Sequence, residues 1–117
     1  MDLNQAIQKH AEWKLKFRSA ISKNETMDIT TISKDNCCEL GKWLHGEAKP
    51  KFGGLQSYVS CVAKHAAFHV EAGKVAQAIN AKKFLEADAM LNAGTVYTLA
   101  SSAVGVAIIQ FKKEAGL

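Results

Sequence analysis

A chain of 117 residues with 48% apolar side chains can bury one hydrophobic core, and 22% charged residues is too few for a disordered, self-repelling chain. One proline and eight glycines leave little for the tight turns of an all-β fold, so the expected class is all-α. The net charge of +4 is spread along the chain rather than gathered into a basic stripe with stacking aromatics, which argues against a nucleic-acid face.

In chain order, the first helix is expected over about residues 3–21, with Asp2 as N-cap and Gln5 three residues on. Leu3, Ile7, Ala11, Leu15 and Phe17 to Ala20 recur near helical spacing and mark its expected buried side. A polar connector over residues 23–35 has room for a short helix at 29–33. The second helix is expected from Asp35, as N-cap, to Leu44 or His45, with Gly46 and Lys49-Pro50-Lys51-Phe52-Gly53-Gly54 ending it. A long third helix spans about 55–80, with Val59, Val62, Ala66, Phe68 or His69, Gly73 and Ala76 on its inner side. A fourth is expected over about 83–114, with a bend at Gly94. Short connections favour antiparallel neighbours, so the architecture expected is an antiparallel four-helix bundle, a single domain over residues 1–117, dimeric through its last helix.

Residues 89–111 carry no charged side chain, a length that could span a bilayer. Asn92, Thr95, Thr98, Ser101, Ser102 and Gln110 make that costly and suit a helix packed among others, so no membrane insertion is expected. Three cysteines, Cys37, Cys38 and Cys61, form no paired framework, and the N-terminus has no apolar targeting core. Both features point to a reducing, cytoplasmic setting in which thiols stay free or bind metal.

His65 and His69 lie four apart on the third helix, so both imidazoles leave one face a single turn apart and can converge on one metal. Alone, that spacing equally suits two core or surface histidines. Its neighbours add to it: His10 stands three residues before Trp13 in the first helix. Cys38 opens Cys38-Glu39-Leu40-Gly41-Lys42-Trp43 in the second, where a mid-helix glycine costs about 1 kcal/mol against alanine and is read as allowing close approach of a neighbouring helix.

His10-x-x-Trp13, then Cys38-x-Leu40-Gly41-x-Trp43, then His65-x-x-Phe68-His69 resembles the signature of the chemoreceptor zinc-binding domain family, over nearly the whole chain. The resemblance implies a bacterial cytoplasmic helical bundle, free-standing or attached to a chemoreceptor or diguanylate cyclase, and dimeric. It implies zinc as the cofactor and His10, Cys38, His65 and His69 as its ligands. It further implies reporting of zinc or of oxidants such as hypochlorous acid to a signalling module. Alternatives kept beside it are a zinc-stapled structural dimerisation module and a regulatory part of a cyclic-dinucleotide synthase.

Spacing tests the other donors. His45 is seven residues after Cys38, about 10 Å along a continuous helix, and suits a helix C-terminus instead. Cys61 is about 12 Å from His69 along the axis, which suits a buried small residue. Cys37 points roughly 100° away from Cys38. Trp13, Trp43 and Phe68 read as packing walls that exclude water. Four protein ligands leave no open coordination position, and no phosphate loop or nucleophile triad accompanies them, so no enzyme activity is expected.

Overall fold

The computed structural model describes residues 1–117 and is all-helical: α1 (Leu3–Ala11), α2 (Trp13–Lys23), α3 (Ile29–Ile32), α4 (Glu39–His45), α5 (Ala48–Phe52), α6 (Gln56–Asn80), α7 (Phe84–Met90) and α8 (Val96–Ala115). They group into the four arms of a bundle. α1 and α2 run almost as one helix through Glu12, whose backbone stays right-handed helical. α3, α4 and α5 form a fragmented second arm, α6 the third, and α7 with α8 the fourth.

Side-chain pairings at the helix ends set the directions. Lys112 of α8 donates to Asn4 of α1 at 3.1 Å, and Ser57 at the start of α6 donates its backbone N–H to Glu114 at the end of α8 at 3.1 Å. Both therefore place α8 antiparallel to arms one and three. Asn80, at the far end of α6, brackets Met27 with two hydrogen bonds of 2.7 Å, so α2 and α6 finish side by side. The second arm must then return the whole length of the bundle, and it does so in short pieces. Phe17, Phe68 and Phe111, from three different arms, are fully buried, each worth about 1.5–3 kcal/mol of transfer free energy.

Asp2 caps α1 as expected, accepting from the N–H groups of Asn4 and Gln5 at 3.0 and 3.2 Å. Other expectations need correction. The inner stripe of the first arm is Leu3, Ala6, His10, Phe17 and Ala20, while Leu15 is 69% exposed. The helix is turned by about one residue because His10 takes the inward place. On α6 the inner side runs through Tyr58, Cys61, His65, Phe68 and Ala72, and Val59 faces solvent.

The second helix begins at Glu39, capped by Cys38 and not by Asp35. Pro50 sits inside the first turn of α5, where its missing N–H has no helical partner to lose. The fourth arm is broken rather than bent. α7 ends at Met90, Gly94 takes a left-handed φ of 80°, and Thr95 restarts the chain by accepting from the Thr98 N–H at 3.2 Å. No helix is long and apolar enough to cross a membrane.

Candidate metal centre

Three arms deliver the site. His10 projects inward from α1, His65 and His69 from adjacent turns of α6, and Cys38 from the start of α4. One donor atom from each lies within 4.8 Å of every other. Cys38 Sγ stands 3.2 Å from His65 Nε2, 3.6 Å from His69 Nε2 and 3.9 Å from His10 Nε2. His65 Nε2 is 3.1 Å from both other imidazole Nε2 atoms. A tetrahedron with bonds of about 2.0–2.1 Å to nitrogen and about 2.3 Å to sulfur has N···N edges of about 3.3–3.4 Å and N···S edges of about 3.5–3.6 Å. The donor set scatters about those lengths.

The hydrogen-bond roles sharpen the fit. A carbonyl can only accept, so His10 Nδ1–H donates to the Ala6 carbonyl at 2.7 Å and His69 Nδ1–H to the Ile32 carbonyl at 2.8 Å. In the neutral imidazole that leaves Nε2 of each as a bare lone pair, and both lone pairs face the same point as the Cys38 sulfur. Buried lone pairs directed at one another repel unless a proton or a metal cation lies between them. His65 is fully buried, and its Nδ1 has no hydrogen-bond partner.

Burial also sets the protonation states. Desolvation lowers His10 and His69 below the ordinary imidazole value and brings His65 to about 3, with the neighbouring histidines adding to the shift at His65. All three are thus held neutral, the metal-binding form. Burial pushes the Cys38 thiol up, against backbone N–H groups of Gly41 and Leu40 that favour the thiolate, and the Asp35 carboxylate adds to the rise. A thiolate is costly here without a compensating positive charge, which a divalent cation supplies. The residues fit a tetrahedral N₃S metal.

Cys38 has two tasks. Its sulfur faces the histidines and also accepts from the Gly41 N–H at 3.3 Å, capping α4. Gly41 owes its place to this turn. A Cβ there would run into the Asp35 carbonyl oxygen, with the carbonyl carbon at 2.7 Å. The expectation that a neighbouring helix demanded this glycine is therefore corrected: the chain's own preceding turn does. Gly73 plays the helix-approach role instead, since a Cβ on it would stand 2.7 Å from Ser33 Cβ. That close seating of the α3 segment on α6 presents the Ile32 carbonyl to His69.

The structure brings His10, Cys38, His65 and His69 together and leaves the other donors outside. His45 ends α4 and pairs through Nε2 with Asp35 at 2.8 Å, at the helix C-terminus where it was expected. Cys61 is fully buried, and Cys37 lies outside the cluster with Asn36 Oδ1 3.6 Å from its thiol. Phe68 meets the His10 and His69 rings edge-on at 5.3 and 5.4 Å, walling the centre. Trp13 lines a cavity beside His10 and Cys38. Trp43 packs on Phe52 and Phe111 rather than on the imidazoles.

Sequence reasoning missed the Ala6 and Ile32 carbonyls, the role of Gly73 and the Asp35–His45 pair. Backbone acceptors have no residue signature. Gly73 was legible only as an inner-face residue.

Compared with known families, residues 10–76 match the model described as the chemoreceptor zinc-binding domain. No curated protein and no solved structure matches the chain.

Proposed function

The chain belongs to the chemoreceptor zinc-binding domain family, and on that premise we propose that it is a sensory or regulatory unit holding one zinc ion through His10, Cys38, His65 and His69. The observation that carries this reading is the convergence of the Nε2 lone pairs of His10 and His69, each fixed by a backbone carbonyl, on the sulfur of Cys38. Bound zinc would act as a Lewis acid tying the first three arms together through one thiolate and three imidazoles.

The chain's own residues supply the rest. Ala6 and Ile32 hold two imidazoles in the ligating tautomer, Phe68 keeps the centre dry, and the Cys38 sulfur links occupancy to the capping of α4. Loss of the sulfur, by oxidation or protonation, would free the start of α4 from α1 and α6, and that movement is the signal we assign to the domain. Four protein donors leave no position for an activated water, which supports a non-catalytic role. A thiol ligand suits a reducing cytoplasm. The output would lie in an attached or partner signalling module of the chemotaxis or cyclase type.

The test is metal titration by competition with a chromogenic chelator. The wild-type chain should bind one zinc, and Cys38→Ala should lose affinity by orders of magnitude. Unchanged affinity in that variant, or zinc bound elsewhere, defeats the proposal.

A second reading, a zinc-stapled dimerisation module, draws on the exposed apolar surface of the α6–α8 pair. Val70, Val96 and Leu99 line one groove with Ala67 and Ala103, and Val106 continues the α8 side with 54% exposure. A second copy of the chain is the partner we assign to this face. Among the small residues of the fourth arm, Ala103 lies in the groove and Gly105 has open space beside it, whereas the Thr95 hydroxyl is spent on the start of α8. Sedimentation should give a dimer for the wild type and a monomer for Leu99→Glu; a wild-type monomer, zinc-loaded at high concentration, removes this partner.

A further inference from the structure

Cys37 has no part in the centre just described, yet it is the covalent neighbour of the sulfur on which that centre depends. We propose that Cys37 is a resolving thiol: after Cys38 is oxidised, Cys37 closes a Cys37–Cys38 disulfide that withdraws the sulfur from the three histidines. The proposal rests on the reading of Cys38 as a redox-reactive zinc ligand.

Access comes first. Cys38 and His10 line a cavity of about 290 Å³ whose other walls include Gln5, Trp13 and Glu39, so a small oxidant reaches the sulfur from the side of α1 and α4. His65 and His69 are sealed at 0% and 2% exposure. Position comes second. Residues 35–38 form a turn before α4, so the backbone at both thiols can adjust without unwinding a helix. The other thiol, Cys61, is fully buried on α6, and its burial pushes it up to about 11, which makes it unreactive.

The chemistry balances with a two-electron oxidant such as hypochlorous acid. The Cys38 thiolate attacks the oxidant, a sulfenic acid forms and chloride leaves, the sulfur losing the two electrons that chlorine gains. The Cys37 sulfur then attacks Cys38 Sγ, the S–O bond breaks, and hydroxide departs with the Cys37 proton as water. Cys38 thereby gives up both of its tasks at once, since its sulfur also caps α4 through the Gly41 N–H at 3.3 Å. Consecutive Cα atoms are about 3.8 Å apart, short of the usual span of about 4.4–6.8 Å for a disulfide, so the bridge is strained and easily reduced. Such a bond protects Cys38 from irreversible sulfinic acid and lets the site reset.

The test uses the zinc-loaded full chain, with zinc content measured first, then about two molar equivalents of hypochlorous acid, enough to carry an unprotected thiol through sulfenic to sulfinic acid, followed by thiol blocking and trypsin. Cleavage after Lys34 and Lys42 isolates both cysteines in the peptide 35–42. The wild-type peptide should be lighter by two hydrogens, and dithiothreitol should restore zinc binding. In Cys37→Ser, Cys38 should advance to sulfinic acid, and zinc recovery on reduction should fall at least about fivefold. A wild-type peptide with Cys38 sulfinic and Cys37 free, a bridge to Cys61 or between chains, or a Cys37→Ser chain that recovers as wild type overturns the proposal. A chain that takes up no zinc before treatment defeats the zinc reading instead, while the peptide mass still decides the disulfide.

Discussion

Replacing Gly41 with alanine tests whether the turn before α4 really sets the position of the candidate metal ligand Cys38. On an ordinary helix the change is favourable, since alanine gains about 1 kcal/mol over glycine. Here the new Cβ would overlap the Asp35 carbonyl oxygen and lie 2.7 Å from its carbon and 3.1 Å from Asn36 Cα, all backbone atoms. Carbon contacts settle at about 3.5–4.0 Å, so the Asp35 peptide must retreat by at least about 1 Å, and the turn carries Cys38 with it. Overpacking of this kind costs about 1–3 kcal/mol, and the backbone has no rotamer through which to escape. Crowding against three backbone atoms puts the clash at the upper end of that range, so it outweighs the propensity gain, and the net loss in the metal-free chain should be about 1–2 kcal/mol. A sulfur displaced on that scale leaves the tetrahedral range, so zinc affinity should also fall, by about 10–100-fold. Urea denaturation of the metal-free chain and chelator competition measure the two effects. Gly105→Ala, where a Cβ meets nothing within 4 Å, is the control that should gain stability. A Gly41→Ala chain that is more stable than wild type and binds zinc equally well would refute the assigned role of the turn.

Gly73→Ala should act on the site from the other side: its Cβ would push Ser33 and the α3 segment off α6, taking the Ile32 carbonyl from His69 Nδ1, with a zinc-affinity loss of about 10–100-fold by the same titration. Zinc binding near neutral pH should release about one proton, from Cys38, because burial holds the three histidines neutral and the thiol protonated; calorimetry in buffers of different ionisation enthalpy reads this number, and release of two or more contradicts the assigned states. The metal-free chain should lose stability on acidification. His10, His65 and His69 titrate lower in the folded chain than in the unfolded one, so the unfolded state binds more protons as pH falls through 6.5, and the loss continues toward the His65 value of about 3. The slope should reach about 1.4 kcal/mol per pH unit for each histidine involved, seen as falling urea midpoints between pH 7.5 and 5; a flat profile would mean the imidazoles are not dry.

Much of this was readable from residue spacing. The long third helix, the short helix near residues 29–33 and the cap at Asp2 all follow from local propensity and capping chemistry, and all three are present. The four residues that meet at the candidate centre were named from a motif. Local reasoning failed where a partner far along the chain decides the outcome. Ile7, Ala11 and Leu15 look like an apolar stripe, but Leu15 faces solvent, because inward placement of His10 turns the helix. Asp35 looks like an N-cap, but the chain goes on through a further turn and Cys38 caps instead, leaving Asp35 to His45. The glycines at 41 and 73 could be seen as unusual in helices, though not which neighbour each one admits.

Helix content and the bundle class belong to the sequence, because they depend on side-chain chemistry and on contacts within about one turn, and the four candidate donors were legible there through the family motif. The register of each buried face, the carbonyls that fix the imidazole tautomers, the seating of α3 on Gly73 and the opening beside Cys38 belong to the tertiary structure alone. They depend on backbone atoms and distances between residues tens of positions apart, which no local pattern of side chains encodes.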